Sequence, residues 1–286
     1  MNNYLIIGVH GLNNKPSPEN VTQLWRQAIL DGLQRNEGRT SNEAPAFEMV
    51  FWADLLHGTA RLPDRAYPEW PRVGPFPSYE DGYWDALRAD MQDVLDTPLD
   101  LAKRWLGADP VSDIVLKHTL TDLGRYYREQ AIRDELRGRL RAALERAHTE
   151  VRRIMVIGHS MGAIIAYDTL RAIGRERRDL VIDHFVTTGA PLGLPNVKFR
   201  ISQESDLVRT PSIVRKWTNL AERRDVVAFD THLAGDYRPN DAGVGVHDDL
   251  VCNDTVPQPD SDKIDYHSII GYLRSPEMSK IIRGFL

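Results

Sequence analysis

The stretch Val151–Gly174 reads VRRIMVIGHSMGAIIAYDTLRAIG and joins two distinct hydrophobic patterns. Residues 153–157 form a short apolar run rich in β-branched side chains, which is typical of a buried parallel strand. From Ala163 onward, apolar residues recur at helical spacing, and Gly174 suits a helix C-terminus. The pentapeptide Gly-His-Ser-Met-Gly lies between the two patterns. The sequence therefore predicts a sharp strand-to-helix turn with Ser160 at its apex.

The pentapeptide Gly158-His159-Ser160-Met161-Gly162 has the residue types that such a turn needs. Glycines two positions before and after the serine carry no Cβ, so strand and helix can approach closely. The serine Oγ is then held above the helix N-terminus, where the helix dipole favours negative charge. We expect Ser160 to be a nucleophile and the Met161 amide to be one donor of an oxyanion hole. An ordinary glycine-rich turn between a strand and a helix is the alternative.

Composition limits the functions open to this chain. Its 286 residues, 42% hydrophobic and 27% charged, are enough for a large core in a single domain spanning residues 1–286. The net charge of -5 gives no basic surface for nucleic acid. The single cysteine, Cys252, excludes an internal disulfide, and we find neither a signal peptide nor a transmembrane segment. We expect a cytoplasmic protein, with export by a route without a cleaved signal as the open alternative, and the sequence leaves its oligomeric state open.

A second apolar run, residues 4–9, ends at His10-Gly11-Leu12. A loop after the first central strand can supply the second backbone donor of an oxyanion hole, and here that donor is predicted to be the Leu12 amide. Gly11 would let this loop pass close to Ser160. We expect His10 to be a buried, hydrogen-bonded residue that shapes the loop and does not titrate in the reaction.

Strand and helix patterns alternate along the rest of the chain, which predicts an α/β fold with a mostly parallel sheet and helices on both faces. Further strands are predicted at 47–51, 183–188 and 216–221, and helices at 17–35, 124–146 and 277–285. Small residues from Gly189 onward follow the strand at 183–188 and are expected to leave room for substrate. Residues 230–266 are rich in Asp, Gly and Pro and are predicted to form a loop.

Between residues 55 and 122 the regular alternation weakens. Five prolines fall within residues 61–79, a density that ends both helices and central strands. Two short helices are predicted at 83–95 and 99–106. We expect the segment 55–122 to be a helical and proline-rich insertion that forms a cap or lid over the active-site face.

A serine nucleophile needs a base, and the base needs an orienting acid. Enzymes with their nucleophile on such a turn carry the acid and then the histidine later in the chain, in that order. Four of the nine histidines follow Ser160, and His184 among them lies within or beside a predicted strand, where it is poorly placed to reach the serine. His232, His247 and His267 remain. We favour His267 because it precedes the C-terminal helical region. His247, in a stretch rich in Gly and Asp, is the second choice.

The acid has two candidates. Asp225 follows the predicted strand 216–221 by a short turn, as a carboxylate at the carboxyl end of a strand should. Asp230 lies only five residues further on and is the alternative. We favour Asp225.

Taken together, these stretches resemble the serine α/β-hydrolase superfamily, and within it a bacterial esterase/lipase-like branch with a His-Gly oxyanion motif. The resemblance rests on His10-Gly11-Leu12, Gly158-His159-Ser160-Met161-Gly162, Asp225-Val226-Val227 and Tyr266-His267. It implies an α/β-hydrolase fold, with Ser160 as nucleophile, His267 as base and Asp225 as the residue that orients it. The segment 55–122 matches no cap that we can identify, so the substrate does not follow from the resemblance.

The reaction that these residues predict is cleavage of a carboxylic ester through an acyl-enzyme intermediate. The partner would be a small-molecule acyl ester or a lipid-like substrate, because aromatic residues accompany the prolines of the segment 55–122. A thioesterase or an acyltransferase could use the same machinery, and a non-catalytic binding protein on the same fold is a further alternative. No zinc-binding spacing is present. We expect neither a cofactor nor a metal.

Overall fold

A single parallel sheet organises the computed structural model, which describes residues 3–12, 14–58, 62–67, 122–205, 207–225, 227–228, 230–253 and 265–286. Its strands are β1 (Tyr4–Val9), β2 (Phe47–Val50), β3 (Arg153–His159), β4 (His184–Thr188), β5 (Trp217–Ala221) and β6 (Val246–Leu250). They lie in the order β2-β1-β3-β4-β5-β6, and every neighbouring pair is parallel. The predicted α/β class is therefore confirmed.

The connecting helices are α1 (Pro18–Glu37), α2 (Ala53–His57), α3 (Gln130–Glu150), α4 (Met161–Glu176), α5 (Pro195–Ser205), α6 (Ile269–Arg274) and α7 (Pro276–Phe285). The side chain of Ser17 accepts a hydrogen bond from the Asn20 amide and caps α1.

The prediction of a single helix over 124–146 is wrong in one respect. Residues 122–128 are helical, but the helix is interrupted at Glu129, which has an extended backbone, before α3 begins.

Strand β6 corrects the prediction of a loop over residues 230–266. It pairs with β5 from Trp217↔Val246 to Ala221↔Leu250. Its residues alternate between half-buried and exposed, because among the described strands it lies at the edge of the sheet. The letters VHDDL contain no apolar run, so the hydrophobic pattern that identified the inner strands was absent.

Helices cover both faces of the sheet. The side chains of Ile7 and Val156 point to one face, where they pack with α3 and α4. Their neighbours Ile6 and Met155 point to the opposite face, where they pack with α1, α6 and α7. Because all six strands are parallel, their carboxyl ends meet at one edge of the sheet, where parallel α/β proteins place their ligands.

The predicted insertion is described only at its ends. Residues 62–67 lie against the start of α1, where Asp64 accepts hydrogen bonds from the amide and hydroxyl of Ser17. Residues 59–61 and 68–121, including the predicted helices 83–95 and 99–106, lie outside the described residues. The role of 55–122 as a cap, and the single-domain boundary 1–286, stay predictions. None of the helices that the structure describes is long and apolar enough to cross a membrane.

Candidate active site

Ser160 lies in the turn between β3 and α4 and has an unusual backbone conformation. Its φ is 54° and its ψ is -129°, and no other non-glycine residue in the described ranges has a positive φ. Such a conformation costs about 1–3 kcal/mol and persists only where surrounding contacts enforce it. The Ser160 amide donates to the Thr188 carbonyl at the end of β4, 3.0 Å away. The buried Oγ makes no hydrogen bond to any residue that the structure describes.

The two glycines of the pentapeptide make room for different neighbours. A Cβ built on Gly158 would lie 2.7 Å from Ala163 Cα, so this glycine allows α4 to approach β3. A Cβ on Gly162 would lie 2.2 Å from the Val9 carbonyl oxygen at the end of β1. Gly162 therefore allows the first turn of α4 to approach β1, a contact that the local sequence does not reveal.

His10 shapes the loop after β1 through both of its ring nitrogens. Nδ1 donates to the Gly11 carbonyl at 2.8 Å, and Nε2 accepts the Trp52 amide N–H at 3.0 Å. The indole of Trp52 stacks on the imidazole and donates to the His10 carbonyl at 2.8 Å. Burial lowers the pKa of His10 to about 3, so the ring is neutral and has a single tautomer. A Cβ on Gly11 would lie 2.7 Å from Ser160 Cβ, so this loop runs directly over the serine.

The two backbone amides predicted to form an oxyanion hole belong to Leu12 and Met161. Among the residues that the structure describes, neither amide N–H has a hydrogen-bond acceptor. The Leu12 carbonyl accepts a hydrogen bond from the Lys15 ammonium, and this bond holds the end of the loop. The Met161 amide follows Ser160 directly in the sequence, and the Leu12 amide belongs to the loop that passes over Ser160. Their role as oxyanion donors stays a prediction.

Asp225 and His267 form a hydrogen-bonded pair. The His267 Nδ1 lies 2.8 Å from Oδ2 and 2.9 Å from Oδ1 of a carboxylate whose side chain is fully buried. The same carboxylate accepts from the Tyr272 hydroxyl at 2.7 Å and from the Val227 amide at 2.9 Å. Because the Nδ1–H of His267 donates a hydrogen bond to Asp225, the neutral ring presents a lone pair on Nε2.

The electrostatic surroundings of His267 act in opposite directions. Burial is the largest single influence and lowers its pKa, whereas the charge of Asp225 and the hydrogen bond to it raise it. The net result is a pKa above the ordinary 6.5. His159 differs: burial, reinforced by the neighbouring His267, lowers its pKa well below 6.5. Of the two adjacent imidazoles, Asp225 thus favours the protonated form of His267, whereas burial disfavours that of His159.

The Asp225–His267 pair lies over the carboxyl end of β4, where the Ser160 amide is also bound. A Cβ on Gly189, whose φ is 52°, would lie 2.8 Å from Asp225 Oδ2 and 3.1 Å from His267 Nδ1. The missing side chain of Gly189 thus makes room for this pair, and the expectation that the small residues here leave room for substrate stays a prediction. The His159 ring packs 4.6 Å from the His267 ring, and its Nε2–H donates to the His267 carbonyl at 2.9 Å.

The alternative residues lie elsewhere. Asp230 accepts the His232 amide N–H at 2.9 Å, and a Cβ on Gly193 would lie 2.2 Å from Asp230 Cβ. The structure therefore joins Asp225, and not Asp230, to His267. His247, expected in a loop, lies exposed on edge strand β6.

Three polar residues around the pair went unnoticed in the sequence: Glu222, Asn253 and Tyr272. Each makes hydrogen bonds to Asp225, to the loop carrying His267 or to another member of the group. No spacing or motif marks them, because their contacts join segments that are distant along the chain.

As for metals, the described residues contain no cluster of three or more His, Cys, Asp or Glu side chains able to hold an ion.

The comparison with protein families agrees with this architecture. A family model described as lecithin:cholesterol acyltransferase matches residues 125–198, which include α3, β3, the Ser160 turn, α4 and β4. No curated protein matches the chain. This family consists of α/β-hydrolase-related acyltransferases and lipases, so the match and the parallel sheet together give the chain an α/β-hydrolase fold.

The class that the fold and the match define is a hydrolase-type enzyme similar to lipid acyltransferases and lipases. The matched part is about a quarter of the chain and ends before Asp225 and His267. The bacterial esterase-like branch, the catalytic roles of the site residues and a cytoplasmic location therefore stay predictions.

Proposed function

We propose that this protein is a serine hydrolase that cleaves carboxylic esters of largely apolar acyl groups, with Ser160, His267 and Asp225 as its catalytic triad. The observation that carries the proposal is the strained Ser160, whose buried hydroxyl has no partner among the described residues and whose turn packs against the Asp225–His267 pair. Backbone strain of about 1–3 kcal/mol at a single residue clusters at functional sites, and the nucleophile of a strand-to-helix turn is one such site.

The reaction begins when His267 Nε2 takes the Ser160 proton as Oγ attacks the ester carbonyl carbon. The carbonyl oxygen becomes negative and is bound by the Leu12 and Met161 N–H groups. The imidazolium, stabilised by Asp225, gives its proton to the leaving alcohol as the C–O bond breaks, which leaves an acyl group on Ser160. His267 then takes a proton from water as the water oxygen attacks the acyl carbon. The bond from that carbon to Ser160 Oγ breaks as His267 gives the proton to Oγ, which releases the acid and the free serine.

The test is labelling with a fluorophosphonate probe, which forms a covalent bond only with an activated serine. We expect labelling of the wild type and none of Ser160→Ala. Ser279→Ala is the matched control, because it removes another buried serine hydroxyl, on α7, and should keep labelling. With p-nitrophenyl butyrate, His267→Ala should lower kcat at least about 10³-fold, whereas His247→Ala should keep most of the activity. Labelling of Ser160→Ala, or an equal loss in His247→Ala, would contradict the assignment.

Acyl transfer is the second candidate, and the match to the lecithin:cholesterol acyltransferase family favours it. In that reaction an alcohol replaces water in the second step, with the same three residues. Product analysis with a phospholipid or p-nitrophenyl ester donor, with and without a long-chain alcohol, separates the two. We expect free acid as the main product in both cases. Acyl ester of the added alcohol as the main product would assign the protein to acyl transfer.

A further inference from the structure

Asn253 is a fully buried residue whose side chain bridges the loop that carries His267. Its Nδ2 donates to the Tyr266 carbonyl at 3.1 Å and to the Ser268 carbonyl at 2.7 Å. These are the residues immediately before and after His267. The carbonyl between them, that of His267 itself, accepts from His159 Nε2. Three successive carbonyls are thus held by side chains, in a loop whose own hydrogen bonds are those of a turn, from the Ser268 N–H to the Asp265 carbonyl at 3.0 Å and from the His267 N–H to Asp265 Oδ1 at 3.1 Å.

Asn253 is in turn fastened to the segment that carries Asp225. Its backbone N–H donates a hydrogen bond to Glu222 Oε2 at 2.7 Å, and the Glu222 carbonyl accepts one from the Asp225 backbone N–H at 3.0 Å. The Glu222 carboxylate is buried and makes a two-pronged ion pair with the Arg224 guanidinium, at 2.9 Å and 3.0 Å. Bidentate charged pairs of this kind have a rigid geometry. Asn253 therefore connects the two loops that must meet for Asp225 to bind His267, through its side chain on one side and through its backbone N–H and the Glu222 carboxylate on the other.

We propose that Asn253 is a positioning residue, which holds the His267 ring in register with Asp225 by clamping the two carbonyls that flank it. The catalytic part of this proposal rests on the proposed function. Asn253 does not contact the reacting atoms and acts only through the backbone of His267. Misplacing a catalytic group by about 1 Å can cost about 100-fold in rate, so a clamp on its backbone has a measurable effect.

The titration of His267 reports the clamp directly. The charged and titratable groups around this ring are Asp225, Asp265, Lys15 and His159, and Asp225 contributes most to raising its pKa against the opposing effect of burial. If the loop loosens, the bond to Asp225 weakens while the ring stays partly buried. The pKa of His267 should then fall, a change that a general loss of stability would not produce.

The experiment compares Asn253→Ala with Asn240→Ala. Asn240 is also buried, and its Nδ2 also donates to two backbone carbonyls, those of Pro211 at 3.1 Å and Val214 at 3.0 Å. We expect Asn253→Ala to lower kcat for p-nitrophenyl butyrate about 10- to 100-fold with KM within about twofold. Its acidic pH–rate limb, and the NMR titration of the His267 ring, should move to lower pH. Asn240→Ala should lower Tm comparably and leave kcat and both titrations at wild-type values.

An unshifted His267 titration in Asn253→Ala would overturn the proposal, and so would an equal shift in Asn240→Ala. If the alanine variant does not fold, Asn253→Asp serves, because it keeps the shape and replaces the donating amide with a group that cannot donate when ionised. The NMR titration needs no substrate. An inactive wild type with a shift in the variant would therefore contradict the proposed function and still support the positioning role.

Discussion

At the scale of single residues, the candidate site is built from positions that do not admit a Cβ. Gly11 passes over Ser160, Gly162 touches the end of β1, and Gly189 lies beneath the Asp225–His267 pair. In each case the nearest atoms to a built Cβ include backbone or a side chain of the proposed machinery. Close approach, more than backbone flexibility, explains the glycines at positions 11 and 162, while Gly189 also has a positive φ.

Gly11→Ala tests this reading of the site. The new Cβ would lie 2.7 Å from Ser160 Cβ and 2.8 Å from His159 Nδ1, so the loop or the serine must shift. We expect fluorophosphonate labelling to slow about 100-fold and the free energy of unfolding to fall by about 1–3 kcal/mol. Gly138→Ala is the control, because this exposed glycine within α3 has open space around it and should gain about 0.5–1 kcal/mol. Labelling of Gly11→Ala at the wild-type rate would refute the close approach.

Several residues of the site follow from the sequence because local rules indicate them. The turn at Ser160 is predicted by one contiguous stretch of residues. Asp225 is predicted by its place after a strand, and His267 by its place late in the chain. Asn253 and Tyr272 could not be found this way. Each is one polar residue without a motif, and its partners lie 13 to 50 positions away along the chain. Only the folded structure brings those partners together.

At the scale of elements, one carboxylate joins the edge strand β6 to its neighbours in addition to the backbone pairing with β5. Asp248 accepts from Asn219 Nδ2 of the neighbouring β5 at 3.0 Å. It also accepts from the amides of Leu233 at 3.0 Å and Ala234 at 2.8 Å, at the start of the short helical turn that packs on the strand. These bonds add to the backbone pairing of β6, whose sequence VHDDL contains no apolar run. That is why the sequence predicted the other five strands of the described sheet and missed β6.

We expect Asp248→Ala to lower the free energy of unfolding by about 2–3 kcal/mol, because three donors lose a charged acceptor. Asp249→Ala is the matched control on the same strand. That carboxylate is exposed and accepts only the amide of the next residue in the hydrogen bonds described, so the loss should stay within about 0.5 kcal/mol. Urea unfolding of both variants measures the difference. Equal stabilities would show that β6 does not depend on Asp248.

At the scale of the whole molecule, buried neutral histidines make folding sensitive to acid. Burial lowers the pKa of His10 and of His184 to about 3 and that of His159 well below 6.5. Below pH 6.5 the unfolded chain binds protons at these residues and the folded chain does not, so stability falls as the pH falls. His267 acts in the opposite sense: its raised pKa adds stability that is present below pH 6.5 and is lost as the pH rises through the folded value.

His184→Gln isolates one of these contributions away from the candidate site. His184 lies at the start of β4, where Nε2 bonds the Thr218 hydroxyl at 2.9 Å. Between about pH 4 and 6 the wild type should lose about 1.4 kcal/mol per pH unit through this residue, and the variant should not. Urea unfolding across that range measures the slope. A variant as sensitive to acid as the wild type would show that His184 is protonated in the folded state.

The strand order has a consequence for how the chain reaches its native state during translation. Strand β1 pairs with β2 on one side, through Ile6↔Phe47, and with β3 on the other, through Tyr4↔Arg153. Strands β1 and β2 lie near each other along the chain, whereas the second partner of β1 emerges from the ribosome only about 150 residues after β1. Until then a nascent apolar strand keeps one open edge, the kind of surface that chaperones protect. After β3, each newly synthesised strand in the described order joins the edge formed just before it, so the second half of the sheet can grow at the pace of synthesis.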